Sequence, residues 1–166
     1  MGTLPLLVDT DWLAAHLDDP DLRILDSTTN VIREPGKPDR VVAERAKFEE
    51  GHIPGAQFVD LQVDLSDHDS HLNFTAPHAE DFARAIERFG IGDHSRVVVY
   101  GTGSVWWATR VWWLFRLFGF DNAAILDNRP GPPICARPFC GATAAAADRG
   151  QAGCAERHQR RRDLHR

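Results

Sequence analysis

Four consecutive residues, Gly101, Thr102, Gly103 and Ser104, stand where a chain can do chemistry with its backbone alone. They follow Val97-Val98-Val99-Tyr100, a β-branched and aromatic run with no polar alternation, which reads as a fully buried strand. An apolar segment from about residue 105 to 118 comes next and reads as a helix. A strand that delivers a glycine-bearing loop onto a helix N-terminus builds an anion cradle, because free amides and the positive end of the helix dipole converge on one spot. A cysteine in that position would be held as thiolate, since the same potential lowers its pKa. The sequence has no cysteine there. The expected anion-binding set is Gly101, Thr102, Gly103 and Ser104, joined by Arg110 if its side chain reaches back.

Other chemistries are weaker on these residues. A serine nucleophile at Ser104, or a threonine at Thr102, needs an adjacent base held by a third group. The eight His are scattered, and none falls in a triad pattern. A dinucleotide loop needs a third glycine where Trp106 stands, so no cofactor is expected. Asp64, Asp67, His68, Asp69 and His71 share an acidic loop, yet without an established ligand spacing; a solvated loop is the expectation and no metal site is assigned. Cys135, Cys140 and Cys154 form neither a Cys-x-x-Cys pair nor an even set, and read as free thiols.

The elements that must position the loop alternate in period. A helix over about 10–18, capped by Asp9 or Thr10, is followed by a short strand from Leu22 that ends at Asp26. Residues 31–45, carrying Pro35-Gly36 and Pro38, read as a loop; 56–59 form a second strand; 62–77 are a long polar loop. His78–Phe89 form a helix stopped by Gly90, and the 105–118 helix is stopped by Gly119 before a last strand, Ala123–Leu126. Strands alternating with helices predict an α/β fold, a central parallel sheet with helices on both faces and sites at the carboxyl ends of the strands.

Composition breaks near residue 127. Residues 1–127 carry 11 Lys+Arg against 21 Asp+Glu, a balance of −10, whereas 128–166 carry 8 Arg and 3 acids, a balance of +5; together they give the net −5. All five Trp precede the break and all three Cys follow it. The sequence divides accordingly into a folded unit, 1–127, and a 128–166 tail with too few large apolar groups to order itself. The acidic balance argues against a nucleic-acid surface, no apolar run approaches a membrane span, and the N-terminus lacks a signal-peptide pattern, so a cytoplasmic location is expected.

Two motifs carry a resemblance. Ala46-Lys47-Phe48-Glu49-Glu50-Gly51-His52-Ile53-Pro54-Gly55-Ala56 resembles the signature of the rhodanese family, the thiosulfate and 3-mercaptopyruvate sulfurtransferases. Val97–Tyr100 with Arg110-Val111-Trp112-Trp113 and Phe118-Gly119 is similar to the strand, active-site loop and helix of that family, and the Trp pair resembles the N-terminal half of two-domain members. Read from its own residues, the first motif is a tight turn that His52 pins through a backbone hydrogen bond. The resemblance implies a rhodanese-like domain over about 6–127, lacking its closing helix, so that apolar surface around Ala123–Leu126 and one Trp face stays partly exposed. It further implies that Gly101 occupies the position of the sulfur-accepting cysteine, so the chain by itself has no catalytic residue. Asp64 and His71 are the nearest matches to residues that the N-terminal domain lends to the active site across the domain interface. The implied partners are a small sulfur-containing anion and a separate or missing catalytic rhodanese domain. The changed composition after Asp127 suggests a shifted frame or a truncated gene. A non-catalytic anion-binding or protein-interaction module is the alternative.

Overall fold

The computed structural model describes residues 4–127. The expectations for the 128–166 tail, its thiols and the missing closing helix lie outside the described residues. Five strands form one parallel sheet: β1 (Leu7–Val8), β2 (Leu22–Asp26), β5 (Ala56–Phe58), β6 (Arg96–Tyr100) and β7 (Ala123–Leu126), in the order β1-β7-β6-β2-β5. The parallel sheet expected from the alternation of periods is present.

Each face of the sheet takes alternate side chains of β6. Val97 and Val99 enter a core with Phe82 and Ala85 of α3 (Ala79–Arg88) and Val111, Leu114 and Phe115 of α4 (Val105–Leu117). Val98 and Tyr100 enter the opposite core, with Leu13 of α1 (Thr10–His16) and with Val8, Ile24 and Leu126. A central parallel strand covered on both sides has no face left for polar residues, which is why its sequence is apolar throughout. Asp9 caps α1 by accepting from the Trp12 amide at 2.7 Å. Gly90 and Gly119 take φ of +67° and +81° at the ends of α3 and α4, positions where a Cβ would be strained.

Two expectations need correction. The stretch read as a loop over 31–45 folds back as an antiparallel hairpin, β3 (Thr29–Ile32) with β4 (Arg40–Ala43), followed by the short helix α2 (Arg45–Glu50). The turn residues Pro35, Gly36 and Pro38 were legible, but the short flanking β-branched runs owe their order to pairing with each other. The second correction concerns β7. All four of its residues are buried, because β1 covers its outer edge and both cores claim its side chains. The expected Trp face is exposed, at Trp106 and Trp113 of α4 beside Leu117, and Leu6 and Leu7 at the sheet edge are exposed as well. Among the described residues no helix is long and apolar enough to cross a membrane.

Candidate functional site

The loop 101–104 leaves the carboxyl end of β6 beside the carboxyl end of β2, which runs parallel to it with Asp26 opposite Tyr100. Neighbouring parallel strands thus bring Ser27 and Thr28 against the loop. The Ser27 amide and hydroxyl both donate to the Tyr100 carbonyl, at 2.9 and 3.0 Å. The Thr102 amide donates to Thr28 Oγ1 at 2.9 Å, and the Thr28 hydroxyl in turn donates to Asp26 Oδ1. Asp26 is 2% exposed and also accepts from the Thr28 amide at 2.8 Å.

Tyr100 completes this buried network. Burial foremost, and then the Asp26 carboxylate, pushes its phenol well above the ordinary range, so the hydroxyl stays protonated and hydrogen-bonds Asp26. The phenol oxygen also accepts from the Ile53 amide at 3.3 Å. One carboxylate therefore ties the Gly51–Ala56 turn to the 101–104 loop. His52 pins that turn as expected: its Nδ1 lies 2.8 Å from the Phe48 carbonyl, and its ring stacks on Phe48.

Gly101 is buried, and its φ lies outside the left-handed region. A Cβ built there would meet Ser27 Oγ at 3.6 Å, the Thr28 nitrogen at 3.7 Å and the Ser104 carbonyl oxygen at 3.8 Å, all ordinary van der Waals distances. Neither space nor backbone conformation calls for glycine at this position. Gly103 differs, with φ +92° in a region that disfavours side chains. Ser104 is the N-cap of α4, its Oγ accepting from the Trp106 amide at 3.3 Å.

The remaining expected site residues do not converge on this loop. The Arg110 guanidinium donates to the Phe74 carbonyl and lies 4.7 Å from the Trp113 ring centroid. Asp64 accepts from the Asp60 amide at 2.9 Å and from Arg88 at 3.4 Å, whereas His71 is exposed in the following loop, and no hydrogen bond joins the two. Among the described residues no three of His, Cys, Asp and Glu gather as metal ligands would.

Sequence reasoning missed Asp26 and Thr28 as site-forming groups. The available signal was a carboxylate ending a strand of a parallel sheet, where sites collect. It also missed a groove of about 390 Å³ between the hairpin and the loop, lined by Thr29, Val31, Arg33 and Lys47 on one side and Gly103 and Trp106 on the other.

Replacing Thr28 with Val keeps the shape but removes the hydroxyl that links Asp26 to Thr102. The expected cost is about 1 kcal/mol, since the Thr102 amide is exposed and water can serve it once released. Faster hydrogen exchange at Thr102, with an unchanged rate in β6, would check this; an unchanged Thr102 rate would show that the hydroxyl does not hold the loop.

This architecture has a known family. Residues 9–128 match the rhodanese-like domain, and the chain belongs to the rhodanese family. It is 41% identical over 121 residues to the 3-mercaptopyruvate sulfurtransferase of Escherichia coli K12, covering 73% of this chain and 41% of that protein. A sulfur carrier protein of Thermus thermophilus, TtuD, is 33% identical over 123 residues, covering 74% of this chain and 37% of that one. Among solved structures, the crystal structure of the Escherichia coli 3-mercaptopyruvate sulfotransferase SseA superposes with a TM-score of 0.61 at 38% identity, covering 74% of this chain and 45% of that chain. The chain therefore spans less than half the length of these relatives.

Proposed function

We propose that this chain is the non-catalytic, N-terminal-type half of a two-domain sulfurtransferase that takes sulfur from thiosulfate or 3-mercaptopyruvate and needs a catalytic rhodanese domain to turn over. Gly101 carries the reading: the loop, its buried support and the room for a Cβ are present, and the nucleophile is not. In sulfur transfer from thiosulfate, a thiolate attacks the outer sulfur, a new S–S bond forms to the protein, and sulfite leaves with the electron pair of the broken S–S bond. Glycine offers no atom for that attack. On this reading Asp64 and His71 are available to a partner domain from the loop before α3.

The purified chain is expected to show no thiosulfate:cyanide turnover. Turnover that survives replacement of Cys135, Cys140 and Cys154 would overturn the proposal, and turnover that vanishes with those replacements would move the nucleophile to 128–166.

A second reading, a non-catalytic anion-binding module, is favoured by one observation: among the described residues no acceptor engages the Gly103 amide at the start of α4. Sulfate or thiosulfate is then expected to bind at about millimolar affinity, worth roughly 4 kcal/mol. The Thr102 amide is already committed to Thr28, so in an amide NMR titration Gly103 and Ser104 should move first. Unmoved loop signals would leave the loop as a structural turn.

A further inference from the structure

We infer that the groove between β3 and the 101–104 loop is a docking site for an extended, acidic peptide segment that adds a strand to the free edge of β3. The argument starts from register. Thr29, Asn30, Val31 and Ile32 lie opposite Ala43, Val42, Val41 and Arg40, and the Glu44 amide donates to the Thr28 carbonyl at 3.0 Å. In an antiparallel ladder, hydrogen-bonded pairs alternate with pairs whose N–H and C=O groups point to the opposite edge. Thr28 opposite Glu44 is a bonded pair, so Asn30 and Ile32 also bond inward. Thr29 and Val31 then direct their amides and carbonyls away from β4.

That outer edge faces the groove. Consecutive residues from Thr28 to Val31 line it, which side chains alternating between two faces cannot do from one face; the strand presents its edge. Neither the Thr29 nor the Val31 amide finds a partner among the described residues, and Thr29 is only 6% exposed. Buried backbone donors left unpaired are rare, so this edge is a place that water or a ligand must fill. Short open edges accept an added strand readily, with main-chain hydrogen bonds supplying affinity and flanking side chains supplying selectivity.

The flanking side chains set the class of occupant. The charged side chains lining the groove are Arg33, Lys47 and Glu44, a balance of +1; Arg33 pairs with the exposed Asp39 at 3.1 Å and Lys47 with the largely buried Glu44 at 3.4 Å. The opposite wall carries Trp106, 76% exposed, an apolar shelf for a side chain of the incoming strand. Cations with an aromatic wall suit an acidic strand with apolar residues interspersed. They disfavour the arginine-rich residues 128–166 of this chain as occupant. The site uses no thiol and does not depend on what stands at position 101.

The test is a titration of the isotope-labelled full chain with a blocked five-residue peptide alternating glutamate and valine. Two controls are its lysine-for-glutamate counterpart and a copy N-methylated on the backbone. The acidic peptide should shift the Thr29 and Val31 amides first. N-methylation removes two edge hydrogen bonds and should weaken binding about tenfold. Arg33→Glu combined with Lys47→Glu should weaken the acidic peptide about tenfold and favour the lysine peptide. Val31→Pro, tolerated only where the amide faces outward, should fold and lose binding. Equal binding of the N-methylated copy, equal binding of the lysine peptide by the parent chain, or shifts confined to residues outside the groove would each overturn the proposal.

Discussion

After incubation with excess thiosulfate and desalting, a chain with its three cysteines replaced is expected to keep its unmodified mass, while the same chain carrying Gly101→Cys gains the mass of one sulfur atom. The contrast is all-or-none, because glycine offers no atom that can accept sulfur and cysteine does. The structure makes the substitution feasible: position 101 lies outside the left-handed region, and a Cβ there has no neighbour closer than 3.6 Å. The start of α4 and the loop amides favour the thiolate over the thiol, so a reactive fraction is present near neutral pH. A Gly101→Ser control should stay unmodified. Should Gly101→Cys fold and yet remain sulfur-free, the loop has lost its cradle as well as its nucleophile. Sulfur uptake by the parent with its cysteines replaced would place the acceptor elsewhere and remove the basis for calling the domain non-catalytic.

The second large effect concerns Asp26. Replacing it with Ala is expected to destabilise the domain by about 3 kcal/mol, because the Thr28 amide and the Thr28 and Tyr100 hydroxyls lose a buried acceptor at once. The loss should appear as a lower urea midpoint with the slope unchanged. Because Asp26 supports both Thr28, which holds Thr102, and Tyr100, which holds Ile53, amide signals at Thr102 and Ile53 should shift together. A cost below about 1 kcal/mol, or movement at only one of the two sites, would show that the network is not a single unit.

Much of the architecture was readable in advance because its signals are local. The apolar run at Val97–Tyr100 predicted a central strand, and it lies between β2 and β7. Asp9 before an apolar-periodic segment predicted a cap, and it accepts from the Trp12 amide. The hairpin was not readable, since neither Thr29–Ile32 nor Arg40–Ala43 contributes a side chain to either hydrophobic core and the two are ordered by pairing with each other. Arg110 illustrates the limit of spacing: being about one and a half turns into α4 left its direction open, and the Phe74 carbonyl and Trp113 ring take it.

The sequence by itself determined what position 101 cannot do, since the absence of a nucleophile is covalent and no folding changes it. It also determined the loop and helix that surround that position, because the strand run, the glycines and the Ser104 cap act over a few residues. Only the tertiary structure decided what holds the loop and what lies beside it. The Asp26–Thr28–Thr102 chain joins residues up to 76 apart in number by aligning β2 with β6, and the groove exists because the hairpin folds against the loop. Such groups meet through strand order and register, which depend on burial of the whole sheet and not on any local run of residues.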